Sequence, residues 1–153
     1  MSELVRGSPV PLFDRLSSAK GDDGHRQQLL SPEQLEMSIG RELSRLLNTR
    51  SRMLLSEFAD STGTALEYGI PNISALSPTS HPDLDLLQAT IRQAVSYYEP
   101  RLKDVTVKAF PPAHGGGGAA LLIAGTVTVG LKLRQLNFEL QLDPRQDSRT
   151  KAA

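Results

Sequence analysis

An α+β fold is expected, with two amphipathic helices packed on a small antiparallel β-sheet (a meander), preceded by a short N-terminal helix and a flexible linker. Two stretches, from Pro32 and from about His81, carry apolar residues three and four apart, as a one-faced helix requires. After Pro100 the period falls to two and holds for three stretches, as half-buried strands require. Residues 17–28 contain almost no apolar side chain. The chain therefore divides into a docking segment and linker (1–30), an α+β domain (31–143) and a disordered tail (144–153).

The first element is one apolar turn, Pro11-Leu12-Phe13-Asp14-Arg15-Leu16, in which Leu12, Phe13 and Leu16 cluster at helical spacing. It is too short to stand alone, so it must dock, either on its own domain or on a partner. Ser31-Pro32-Glu33-Gln34 then opens a helix, with Ser31 as N-cap, proline at the first helical position and Gln34 completing a capping box. Leu35, Ile39, Leu43, Leu46 and Leu47 form its apolar face, and Asn48 is expected to close it in a left-handed conformation. Thr49, Arg50 and Arg52 follow as a polar corner, either a presented basic surface or simple solvation of the helix's carbonyl end.

Periodicity fails between Arg52 and Ser80, where Met53-Leu54-Leu55 and Phe58 fit a short strand or a turn. Tyr68-Gly69-Ile70-Pro71 reads as an ordered loop. Ser80 and Asp83 are spaced as a capping box for the second helix, whose apolar face is Leu84, Leu87, Ile91, Ala94, Val95 and Tyr98. Its end is set by Pro100, which cannot continue a helix and disfavours the helical conformation at Glu99. In extended chain Glu99 and Arg101 share one face. They make either an ion pair internal to the domain, which at a surface contributes about 0–1 kcal/mol, or a pair offered to a partner.

Three strands follow. Their core faces are Val105, Val107 and Ala109; Leu121, Ile123, Gly125, Val127 and Val129; and Leu136, Phe138, Leu140 and Leu142. Local connections between them suggest a meander, which leaves the last strand with a free edge. From Gln135 to Leu142 there is neither proline nor lysine to blunt that edge, and Gln135, Asn137, Glu139 and Gln141 point away from the core.

Composition narrows the function classes. The chain has 153 residues, enough for one domain with a real core. Lys plus Arg and Asp plus Glu are both 17, so no basic field attracts nucleic acid or anionic lipid. With no cysteine, thiolate chemistry, disulfides and zinc–cysteine sites are excluded. Met1–Arg6 lacks the apolar stretch of a signal peptide and no segment reaches membrane-spanning length, so a cytoplasmic protein without membrane insertion is expected.

The search for chemistry is mostly negative. Gly115–Gly118 lacks the Lys-Ser/Thr ending of a phosphate-binding loop and leads into a strand, so a flexible hairpin loop is expected. His25, His81 and His114 have no metal-ligand spacing, and no Gly-x-Ser-x-Gly elbow occurs. No catalytic residue, cofactor or metal is therefore expected. Paired carboxylates among Glu57, Asp60, Glu67 and Glu99 are the one enzymatic option, but with 5% aromatic residues and no Trp the chain has little to grip a sugar.

Four motifs in order, Leu12-Phe13-Asp14-Arg15-Leu16, Leu46-Leu47-Asn48-Thr49-Arg50, Glu67-Tyr68-Gly69-Ile70-Pro71 and Glu99-Pro100-Arg101-Leu102, resemble the TssE family of type VI secretion baseplate subunits. That family belongs to the phage baseplate-wedge proteins historically labelled "lysozyme-like". The resemblance covers about residues 10 to 143. Glu67 and Asn72 stand where the family usually has Asp, and Ser51 where a second basic residue usually follows the arginine.

The resemblance implies a cytoplasmic structural subunit of the baseplate wedge, not an enzyme. The implied partners are the baseplate proteins TssF, TssG and TssK, and the TssB/TssC sheath, which starts to polymerise on this platform. It also implies that Glu99, Pro100 and Arg101 face a wedge partner. The free strand edge is expected to accept a sheath strand by β-augmentation. The alternative is a muramidase-type glycoside hydrolase, as the old label suggests.

Overall fold

In the computed structural model, residues 31–111 and 119–142 are described. The expectations for Leu12, Phe13 and Leu16, the linker, the Gly115–Gly118 tract, His25, His114 and the tail lie outside them.

Helix α1 (Pro32–Asn48) begins with the capping box its sequence encodes: the Ser31 hydroxyl accepts from the Gln34 N–H at 3.2 Å, and the Gln34 side chain accepts from the Ser31 N–H at 2.9 Å. Hydrogen bonding to backbone N–H at this terminus, and then to the Ser31 hydroxyl, holds the Glu33 carboxyl below its ordinary value. Leu35, Ile39, Leu43, Leu46 and Leu47 are all buried.

The end of α1 differs from expectation. Asn48 is the last helical residue and has no left-handed backbone; the cap is Thr49, which is already extended. The physical reason lies in tertiary pairing. The Thr49 carbonyl accepts from the Ile70 N–H at 2.9 Å and the Ser51 N–H donates to the Ile70 carbonyl at 2.8 Å, making a parallel bridge between Arg50 and Ile70. That bridge pulls the chain straight out of the helix. Gly69, at φ +115°, makes it possible, because a Cβ there would stand 2.6 Å from the Thr49 carbonyl oxygen.

Residues 52–80 contain no strand. Leu55–Phe58 is a short helix, α2, and Ala65–Glu67 a single 3₁₀ turn. Glu57 and Glu67 reach back to the N–H groups of Leu54 and Thr64, so both turns are held by local caps that a strand would not use. Side chains of helix α3 (His81–Tyr98) anchor the segment. Gln93 donates to the Phe58 and Ala59 carbonyls, Tyr97 to that of Ser61 at 2.9 Å and Tyr98 to that of Thr64 at 3.0 Å. The capping box expected for α3 does not form. Ser80 makes no side-chain cap, and Asp83 instead accepts the Ser77 N–H at 2.9 Å.

Strands β1 (Lys103–Phe110), β2 (Ala120–Val129) and β3 (Lys132–Gln141) form an antiparallel meander in the order β1-β2-β3. Val107 stands opposite Ile123, and Ile123 opposite Phe138, so the alternating apolar sets fall on one face. Helix α3 lies chiefly over β1, and α1 packs on α3 and β3. The pairing of β1 with β2 is irregular between Lys103 and Thr106, where Asp104 adopts φ +51° and accepts a hydrogen bond from the Thr126 hydroxyl.

Gly69→Ala is expected to lower stability by about 2–4 kcal/mol, combining left-handed strain with a backbone clash; denaturant unfolding checks this. Burial raises the phenol pKa values of Tyr68 and Tyr98 above 10.0. The neutral phenols are thus favoured in the fold, so this stabilisation is complete below pH 10.0 and is lost as pH rises through the raised values. Melting temperature should fall on the alkaline side of that point, and less so in Tyr68→Phe.

Candidate functional site

The corner after α3 is the most constrained polar feature of the described residues. The chain does not run extended through Glu99-Pro100-Arg101. It turns, with the Leu102 N–H donating to the Glu99 carbonyl at 3.1 Å. The two charges therefore meet across a tight turn, not along one face of a strand. Arg101 Nε donates to Glu99 Oε1 at 2.7 Å and Nη2 to Oε2 at 2.6 Å, a two-pronged pair, while the Arg101 N–H adds a bond to Oε1 at 3.3 Å. The third prong, Nη1, donates to Ser38 Oγ on α1 at 3.1 Å.

Burial identifies the role of this pair in the chain. The Glu99 side chain is 3% exposed and that of Arg101 11%, so most of the pair is withdrawn from water. A carboxylate in that position without its guanidinium would be an uncompensated buried charge. Of the two readings left open by the sequence, the internal ion pair describes the geometry of the free chain. Pro100, between them, is exposed. Leu102 continues the turn into the core at 2% exposure and packs over Gly125 of β2, where a Cβ would stand 2.6 Å from Leu102 Cγ. Ser38 was not nominated by the sequence reading. Its signal was present: a small polar residue three positions after Leu35, at the edge of the apolar stripe of α1.

The corner at the end of α1 has a different character. Asn48 and Thr49 turn their side chains back on the helix, Nδ2 of Asn48 to the Ser44 carbonyl and Oγ1 of Thr49 to the Arg45 carbonyl, each at 2.8 Å. Arg50 is half-buried and its Nη1 is buried without a hydrogen-bond partner.

Strand β3 pairs with β2 alone among the described residues, so its other edge is open. Which groups face that edge follows from the hairpin. Val129 and Lys132 flank a two-residue turn and are paired, so they exchange both hydrogen bonds, and alternate residues of β3 do the same. Arg134, Leu136, Phe138 and Leu140 thus turn their backbone groups toward β2. Gln135, Asn137, Glu139 and Gln141 turn theirs to the open edge, and their side chains are exposed on the face away from the core. The opposite edge, on β1, is interrupted by the irregularity at Asp104 and bounded by Pro100 and Pro111.

Of the candidate acids, Glu57 and Glu67 cap their own turns and Glu99 is paired, and none of Glu57, Asp60, Glu67 and Glu99 lines the small apolar cleft between Ile73, Leu76, Leu84, Leu87 and Leu142. Among the described residues no group of His, Asp or Glu is placed to hold a metal ion, and no helix is long and apolar enough to cross a membrane.

Residues 33–135 match the model of the family described as baseplate wedge protein gp25. A chain of the solved baseplate complex from the type VI secretion system is similar in fold, with 22% identity and a TM-score of 0.52, covering 72% of this chain and 96% of that one. A crystal structure of a putative tail lysozyme from Geobacter sulfurreducens is 20% identical, covers 71% of this chain and 92% of its own, and has a TM-score of 0.43. No curated protein matches the chain.

Glu99→Ala or Arg101→Ala is expected to destabilise the domain by about 3–5 kcal/mol, because each leaves a buried charge without its partner. Removing both, as Glu99→Ala with Arg101→Ala, should cost clearly less than the sum of the two single losses, a coupling that a double-mutant cycle of unfolding free energies measures.

Proposed function

This chain belongs to the gp25 baseplate wedge family, and on that premise we propose that it is the structural TssE-type subunit of a type VI secretion baseplate wedge. The match across residues 33–135 carries the proposal, and the similarity in fold to a chain of a type VI baseplate complex supports it. In this reading the protein holds other wedge subunits and offers a rigid sheet on which a contractile sheath begins. It performs no reaction.

The proposed wedge partners are TssF and TssG, with TssK nearby. The exposed Pro100 and the remaining edge of Arg101 meet a partner from a corner that the Glu99 pair keeps rigid. Preorganisation of this kind lowers the entropy cost of association. The apolar residues Leu12, Phe13 and Leu16 and the corner at Asn48, Thr49 and Arg50 are further proposed contacts. For the sheath, TssB/TssC, the proposed acceptor is the open edge of β3. Its free N–H and C=O groups at Gln135, Asn137, Glu139 and Gln141 suit an added strand.

The hydrolase alternative has no support among the described residues, where none of Glu57, Asp60, Glu67 and Glu99 lines the small apolar cleft. Purified protein should leave peptidoglycan uncleaved. Cleavage abolished by replacing one carboxylate would overturn the structural reading.

Proline at Asn137 and Gln141 removes two edge donors without touching the β2 ladder. The doubly substituted protein should still co-purify with TssF and TssG but should not support sheath polymerisation. Normal sheath growth on such a baseplate would refute the edge as acceptor.

A further inference from the structure

Arg50 is the half-buried arginine whose needs the free chain does not meet. Arg101, the comparable case, directs all three guanidinium nitrogens to protein acceptors. Arg41, Arg45, Arg52, Arg92 and Arg134 are exposed, and Arg45 is paired with Glu42. Arg50 is neither paired nor fully hydrated: its Nη1 is buried, and no acceptor among the described residues reaches it. A desolvated donor without an acceptor is a cost that proteins ordinarily avoid.

The backbone beneath this side chain is unusually fixed. The bridge to Ile70 holds the chain on both sides of Arg50, through the Ile70 N–H to Thr49 and the Ser51 N–H to Ile70, and Gly69 lets the two segments meet at van der Waals distance. In the neighbouring polar side chains, Asn48 Nδ2 and Thr49 Oγ1 are bonded to their own helix. The segment pinned by the bridge also presents two exposed leucines, Leu54 at 64% and Leu66 at 91%. Arginine is among the residue types enriched at protein interfaces and at their hot spots.

We propose that Arg50 is a docking point for a carboxylate of a neighbouring wedge subunit, an Asp or Glu side chain. The proposal rests on the baseplate reading above and narrows the corner at the end of α1 to one recognising side chain. When the guanidinium turns outward onto that carboxylate, Nη1 breaks no internal hydrogen bond, so binding satisfies a group that the free chain leaves unsatisfied. The fork then makes two parallel N–H···O bonds, a geometry that lysine cannot reproduce.

The test compares wild type, Arg50→Met and Arg50→Lys in full-length protein, by melting temperature alone and by co-purification and affinity with co-expressed TssF and TssG. Methionine keeps the apolar stem and removes the charge. Arg50→Met should melt at or above the wild-type temperature and bind at least tenfold more weakly, with Arg50→Lys between the two in binding. Wild-type affinity in Arg50→Met overturns the proposal. So does a melting loss of several degrees in the free variant, which would mean that the guanidinium is satisfied within its own chain. If wild type itself fails to co-purify, the baseplate reading falls and the proposal with it.

Discussion

The ion pair between Glu99 and Arg101 is the constraint on which the rest of the architecture turns. It sits where three elements meet: the C-terminus of α3, the turn into β1 and, through Ser38, the middle of α1. Apolar packing alone is tolerant of small sliding motions between a helix and a sheet. A two-pronged salt bridge with a third bond to another helix is not, because each bond has its own distance and direction. Buried pairs of this kind add little net stability compared with apolar replacements, since desolvation offsets most of the attraction. What this one supplies is a single geometry. The direction in which β1 leaves the helix, and hence the tilt of the sheet under α1 and α3, is set there.

A second set of restraints holds the irregular stretch between the helices. Residues 49–51 and 69–71 are joined by backbone hydrogen bonds, and the side chains of Gln93, Tyr97 and Tyr98 bind carbonyl groups between Phe58 and Thr64. The rings of Tyr68 and Tyr98 meet edge to face with centroids 5.0 Å apart. A segment with little regular structure is thereby fixed to the body of the domain at both ends and in the middle. That rigidity suits a member of a baseplate wedge family, whose surfaces must keep their shape while other chains assemble on them.

The two edges of the sheet are unequal, and this inequality gives the domain a direction. At β1 the ladder is broken by Asp104 and bounded by prolines, features that discourage a further strand. At β3 the ladder runs regularly from Lys132 to Gln141 and ends in open backbone groups. The two edges therefore differ in how regular a row of backbone groups they leave unpaired among the described residues. The Arg101 charge is matched within the chain by Glu99, while Arg50 Nη1 has no hydrogen-bond partner among the described residues.

Much of this fold was legible in the order of the residues. The capping box at Ser31 and Gln34, the stripes of α1 and α3, the stop before Pro100 and the strict alternation of β3 are local patterns, and local patterns are what helix and strand periods select. The open edge of β3 was legible for the same reason, since a meander of three alternating segments leaves its last strand unpaired on one side. The features that sequence alone did not determine all depend on a distant partner. Asn48 does not close α1 in a left-handed turn because Ile70 pairs with Thr49. Asp83 does not cap α3 because the Ser77 N–H takes its carboxylate. Glu99 and Arg101 are two residues apart in the chain, so their pairing was expected, but burial of the pair required Ser38, 63 residues away from Arg101, to supply the last acceptor. Hydrophobic period specifies which face of an element turns inward; only packing of the elements against one another decides which polar groups go in with it.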